Sequence, residues 1–301
     1  MFKNVMMYRF GSAWEQTVAK LEAALEENRF VECSASQEKS VGWIPPRGEE
    51  HGPLVEVVAG QWILKLMVEV KVLPGTVVKR KAEEQLQHIE ATTGRKPGKK
   101  EAREIREDAR LSLLPLAFTK QSTVLVWIDP QAQRLVLSAG SQARADEVMT
   151  CLIKAVDGLA PQLVNTQMSP AAAMSIWLST KEAPQSFSVD RECELKAADE
   201  SKAVVRYTRH PLDTDEVSQH IAAGKLPTRL ALTWNDHVSF VLTEALQLKK
   251  VAVLDVVFEG AGAAGDGKDD GFDTDVAIAT GELRKLIPDL LEALGGEVVP
   301  A

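Results

Sequence analysis

WILKLMVEVKVLPG, residues 62–75, is followed at once by TVVKRKAEEQLQHIEATTGRKPGKKEAREIREDARLSLLP, residues 76–115, and then by TVLVWI, residues 123–128. In the first stretch Trp62, Leu64, Leu66, Val68 and Val70 alternate with Lys65 and Glu69, the period of a strand with one wetter face. Pro74-Gly75 ends it. From Thr76 to Leu114 the pattern becomes charged, weakly apolar and helical, with one break at Gly94-Arg95-Lys96-Pro97-Gly98. Two helices joined by a short loop are therefore expected. Each arm of roughly 17 residues is about 25 Å long at 1.5 Å per residue. Past Pro115 the chain returns to strands at Thr123 to Ile128 and Leu135 to Leu137, around Asp129-Pro130. A helical hairpin set between strands predicts an α+β fold.

The same reading extends outward. The N-terminal run through Phe10 reads as a short buried strand. Ser12 and Glu15 have the spacing of a capping box, and Trp14, Val18, Leu21 and Leu25 form one apolar stripe on the helix expected there. Gly42-Trp43-Ile44-Pro45-Pro46-Arg47-Gly48 reads as a rigid loop. Ala145, Val148, Met149, Leu152 and Val156 mark an amphipathic helix, and Ser169-Pro170 supplies a cap and a first-turn proline for another. Strands are expected at Phe187 to Val189, Val204 to Thr208, Leu230 to Trp234 and Val238 to Leu242, with a hairpin turn at Asn235-Asp236 and a helix from near Asp213 to Gly224. Leu283, Leu286, Ile287, Leu290, Leu291 and Leu294 give the last helix a wide apolar face, stopped by Gly295-Gly296. Three regions follow: an α+β region over 1–75 and 115–185, the helical hairpin over 76–114, and a second α+β region over 186–301.

A chain of 301 residues with 45% hydrophobic content can bury one large core or two moderate ones without staples. Cys33, Cys151 and Cys193 are odd in number and widely spaced, so neither a disulfide framework nor a zinc site is indicated, and a reducing cytoplasm is expected. No stretch approaches the roughly 20 apolar residues of a membrane span. No cofactor and no catalytic activity are expected from the motifs. Gly94-Arg95-Lys96-Pro97-Gly98-Lys99-Lys100 lacks the glycine spacing, the hydroxyl residue and the preceding strand of a phosphate-binding loop. Asp266-Gly267-Lys268-Asp269-Asp270-Gly271 places lysine third and Ala277 twelfth, where a calcium loop needs oxygen ligands. His51, His88, His210, His220 and His237 show no metal-binding pairing. A hydrolase or nuclease with an unrecognised carboxylate site around Asp255, Asp273 and Asp275 stays open.

Charge distribution carries more. With 43 acidic and 35 basic residues the chain is −8, a balance that by itself argues against binding nucleic acid. Yet from Lys79 to Lys120 there are eleven basic residues against seven acidic ones, a local +4 set against −12 for the remainder. Such asymmetry lets one positive surface meet phosphates while the acidic exterior repels them elsewhere. Arg95, Lys96, Lys99 and Lys100 at the hairpin turn have no acid between them, and Lys79, Lys81, Arg103 and Lys120 extend the cationic set. The other reading is a solvated helix pair whose charges neutralise one another at i, i+3 and i+4. Arg206, Arg209 and His210 form a second basic group at a strand end before Pro211.

Several stretches taken together resemble the RdgC family, collinearly over nearly the whole chain. They are Phe2-Lys3-Asn4 with Tyr8-Arg9, Gly42-Trp43-Ile44-Pro45-Pro46, Ser112-Leu113-Leu114-Pro115 with Ala117-Phe118, and Trp127-Ile128-Asp129. Ala183-Pro184-Gln185, His220-Ile221 with Ala223-Gly224-Lys225, Leu230-Ala231-Leu232, Thr280-Gly281-Glu282-Leu283 and Leu294-Gly295-Gly296-Glu297 follow in order. The resemblance implies a horseshoe-shaped α+β subunit with mixed or antiparallel sheets and a protruding helical hairpin, two of which close a ring around duplex DNA. It further implies sequence-independent binding of double-stranded DNA, restraint of a RecA-type recombinase, and a nucleoid-associated place in the cytoplasm. Arg95, Phe118 and the pair Arg209 with His210 match family positions implicated in DNA binding or ring closure. That pair departs from the Lys-Gln of some members. A protein-interaction module acting directly on the recombinase through the charged hairpin is the alternative.

Overall fold

The computed structural model describes residues 1–11, Trp14, 16–259 and 268–298. In chain order the strands are β1 (Asn4–Arg9), β2 (Lys39–Ile44), β3 (Glu56–Val58), β4 (Gln61–Val72), β5 (Phe118–Asp129), β6 (Arg134–Leu137), β7 (Gln162–Leu163), β8 (Phe187–Ala197), β9 (Val204–Thr208), β10 (Lys225–Trp234), β11 (Val238–Thr243) and β12 (Leu248–Val253). The helices are α1 (Val18–Glu26), α2 (Gly75–Thr93), α3 (Lys99–Leu113), α4 (Gln142–Ala155), α5 (Pro170–Thr180), α6 (Asp215–Ala222), α7 (Asp255–Glu259) and α8 (Lys268–Ala293). All strand pairings are antiparallel, in the order β2-β4-β5-β6-β1-β12-β11-β10-β8-β9, with β3 on β4 and β7 on β1. The α+β class stands.

β1 joins the two halves of this sheet. Asn4 and Val5 pair with β12, whereas Met6 to Arg9 pair with β6. Its side chains alternate between two cores: Val5 and Met7 pack with α8 and the C-terminal strands, and Met6, Tyr8 and Phe10 with α1 and α4. A strand covered on both faces must be apolar at consecutive positions, which is why Val5-Met6-Met7-Tyr8 has no polar interruption.

The first helix begins later than the sequence suggests. Thr17 caps it, its hydroxyl accepting from the Lys20 N–H at 3.3 Å, so Trp14 precedes the helix and packs edge-on against Phe10. Ser12 and Glu15 lie outside the described residues, as do 260–267, which include Asp266 and Gly267 of the acidic loop. β12 gave no sequence signal because Leu248-Lys249-Lys250-Val251 is short and half charged. Ser169 caps α5 as expected, and the Gly296 and Gly295 N–H groups reach back to the Leu291 and Glu292 carbonyls to end α8.

Gly42 shows how tightly the outer edge is closed. Segment 28–30 lies along β2, with the Phe30 N–H donating to the Trp43 carbonyl and the Trp43 N–H to that of Asn28, both at 2.9 Å. A Cβ at Gly42 would stand 2.4 Å from the Phe30 Cα. Gly42→Ala should therefore lower stability by about 1–3 kcal/mol through forced backbone displacement, read as a shifted urea midpoint. An unchanged midpoint would show that segment 28–30 yields freely.

Candidate nucleic-acid interface

The hairpin is an insertion between two consecutive strands of one ladder. β4 and β5 pair from Trp62↔Ile128 to Val72↔Phe118, and α2 and α3 leave and return at that last rung. At 1.5 Å per residue α2 is roughly 28 Å long, so its turn stands well clear of the ladder. The turn follows from Gly94, which has φ 66° and donates its N–H to the Glu90 carbonyl, and from Pro97-Gly98, which cannot continue a helix. Between the arms runs a thin apolar seam of Ala82, Ile105 and Ala109 with Leu86 and Ile89. Apart from Val78, buried near the root, most of the remaining side chains of the pair face water, which explains its charged composition.

Lys99, Arg103, Arg106 and Arg110 follow one another at steps of four, three and four. At 3.6 residues per turn they fall within roughly 60° of arc on α3, and all four are exposed. Glu101, Glu104 and Asp108 occupy the opposite side of that helix. Glu107 borders the cationic face and Arg110 on it pairs with Glu38, so the face is predominantly rather than purely basic. Arg106 and Arg110 complete this face, and their spacing with Lys99 and Arg103 is the signal for it in the sequence.

The turn is less bare than its sequence suggests. Arg95 Nη2 lies 2.9 Å from Glu101 Oε1, and this contact holds the Glu101 carboxyl below the ordinary range. Glu101 is the third residue of α3 and also takes the Gly98 N–H, the reciprocal half of a capping box. Lys100 stands 4.0 Å from Glu104, Lys79 3.7 Å from Glu83 and Lys81 4.0 Å from Glu84, exposed pairs of little energetic weight. Lys96, Lys99 and Arg103 are exposed and carry no ion pair among the described residues.

At the root of the hairpin two side chains are unpacked: Leu116, in the Leu114–Leu116 turn, is 79% exposed and Phe118, at the start of β5, 87%. Phe118 is therefore no core residue, and its rung partner Val72 is half exposed as well. Exposed aromatic and aliphatic groups on one rung make this a candidate contact surface. Lys120, opposite Val70 on the same ladder, is exposed two residues further along.

Arg209 and His210 stand elsewhere. They follow β9 at the far end of the sheet order, seven strand steps from β5, or roughly 34 Å at 4.8 Å per step. Arg209 has φ 55°, the His210 N–H donates to the Arg191 carbonyl at 3.2 Å, and the His210 ring lies 5.4 Å from that of Tyr207. Arg206, by contrast, is bonded to Glu194 at 2.6 Å. Within the chain the two basic groups lie far apart in the strand order.

The three aspartates of the nuclease alternative do different things. Asp273 accepts from Arg47 at 2.6 Å, Asp275 lines a small apolar cavity beside Phe2 and Leu283, and Asp255 heads α7. Among the described residues no three His, Cys, Asp or Glu side chains stand grouped as a metal site. No helix among them is long and apolar enough to cross a membrane.

Fold and site together define an α+β protein in which one long antiparallel sheet carries a highly charged helical hairpin. The family model described as "Putative exonuclease, RdgC" matches residues 1–297. Proteins named Recombination-associated protein RdgC from Dechloromonas aromatica and Herminiimonas arsenicoxydans are 44% and 46% identical over 303 and 296 residues, covering 100% and 98% of this chain and 99% and 98% of their own. The chain belongs to the RdgC family.

Proposed function

We propose that the protein binds double-stranded DNA without reading its sequence, as a homodimer of horseshoe-shaped subunits closed into a ring, and so restrains a RecA-type recombinase on DNA in the nucleoid. The carrying observation is the exposed cationic face of the hairpin on an otherwise acidic protein. Lys96, Lys99, Lys100 and Arg103, with Arg95 released from Glu101, supply donors for phosphate oxygens. Phosphate contacts release condensed counterions and carry no base information. Lys79, Lys81 and Lys120 extend the surface toward the root, where Phe118 supplies an apolar contact, and Arg209 with His210 serves the second end of each subunit. A symmetric partner would bring the separated basic groups onto one inner wall. Occupancy of the duplex then hinders recombinase filament growth by competition, with no chemical step. The three regions 1–75 with 115–185, 76–114 and 186–301 are the working parts of this reading.

Arg95→Glu with Lys99→Glu should weaken binding to random duplexes of different sequence alike and lower the salt slope by about two units per subunit, about four in the dimer. Gel shifts at several salt concentrations measure both, and unchanged affinity would remove the hairpin turn as the contact surface. The family model's description supports one further reading, a nuclease; metal-dependent loss of end-labelled duplex that Asp273→Asn and Asp275→Asn abolish would establish it.

A further inference from the structure

Where α3 descends to the sheet, the angle between the hairpin root and the ends of β2 and β4 encloses a groove of about 640 Å³. Its wall carries five cations, Lys39, Lys71, Lys79, Arg106 and Arg110, against the carboxylates of Glu38 and Glu107. Its floor is aliphatic: Val70, Leu73, Val78 and Leu114. Arg110 is already turned to a carboxylate, its Nη2 lying 2.6 Å from Glu38 Oε2. Lys39 pairs with Glu147 and Lys79 with Glu83. Lys71 and Arg106 carry no ion pair among the described residues, so the groove keeps two cations for an incoming anion.

We infer that this groove docks an acidic peptide segment of a partner protein, one that follows its carboxylates with an aliphatic or aromatic side chain. Two features select that occupant over a nucleic acid. The wall already accommodates a protein carboxylate, Arg110 holding Glu38 through one Nη2 contact at 2.6 Å. The floor has no aromatic ring, whereas single-stranded nucleic acid relies on aromatic platforms to stack its bases. A phosphate backbone would leave the four aliphatic side chains without a partner; a leucine or phenylalanine of a peptide covers them. The inference is independent of DNA contact at the hairpin turn.

The test is fluorescence anisotropy on the full chain, without DNA, using a labelled peptide of four glutamates followed by leucine and phenylalanine. Replacing the glutamates by glutamine, or the last two residues by serine, should each weaken binding about tenfold, the scale of one charge-assisted bond or one buried side chain. Lys71→Glu with Arg106→Glu should abolish the difference between glutamate and glutamine peptides, and Leu73→Ser the difference between the apolar and serine peptides. Absence of binding by the first peptide overturns the inference. So does displacement of the peptide by random duplex DNA together with indifference to Leu73→Ser, the behaviour of a phosphate site. Either failure leaves duplex binding at the hairpin turn standing, because that is read in a separate assay.

Discussion

Affinity for random duplex DNA should fall about a thousandfold between roughly 50 and 200 mM monovalent salt, on the basis that about six phosphates are neutralised. The estimate rests on the cations that the fold leaves available. Lys96, Lys99 and Arg103 are unpaired among the described residues, Lys100 is only loosely held, and Arg95 gives up one exposed contact to Glu101. The proposed dimer would present each of these twice. With a slope of about −0.9 per phosphate, six contacts give a slope near −5, and a fourfold rise in salt then produces that loss. Gel shifts or anisotropy at four salt concentrations suffice. A slope shallower than about −2 would mean that the hairpin holds few phosphates, and the proposed function would lose its physical basis.

Trp127→Ala should remove about 3–5 kcal/mol of stability, a large part of the 5–15 kcal/mol typical of a folded protein. Trp127 is 1% exposed, lies in β5 opposite Ile63 and Val136, and stacks at a tilt on Phe2 at 6.0 Å. Its indole N–H donates to Gln61 Oε1 at 2.8 Å, and both groups are buried. Truncation therefore opens a cavity beneath the central strands and leaves the Gln61 carbonyl oxygen without its donor. Urea unfolding followed by far-UV circular dichroism gives the change in midpoint. A loss below about 1 kcal/mol would show that the two halves of the sheet repack across the site.

The polar residue next along β5 has a related role. Asp129 is 2% exposed; its Oδ1 takes the Gln131 and Ala132 N–H groups at 3.0 Å, and its Oδ2 lies 2.8 Å from Arg284 Nε on α8. Trp127-Ile128-Asp129 thus ties a core aromatic, a turn and the last helix together.

Much of this protein was written locally. Alternation in Trp62 to Val70, the Gly94-to-Gly98 break, the Ser169-Pro170 start and the leucine face of α8 each report a period or a cap, and these depend on neighbours within a few residues. Order and spacing of short motifs along the whole chain were enough to place it among RdgC proteins. The charge asymmetry of 79–120 was equally plain from counting.

Tertiary structure decided the rest. That Arg95 meets Glu101, that Phe118 stands in water rather than in a core, and that Lys71 and Arg106 share a groove depends on where α2 and α3 return to the β4–β5 ladder. Residues 35 positions apart along the chain become neighbours there. The separation of Arg209 from the hairpin likewise follows from strand order, which β1 sets by pairing with β12 through two residues and with β6 through the next four. Local periodicity fixes which face of an element is apolar; long-range pairing alone fixes which faces meet.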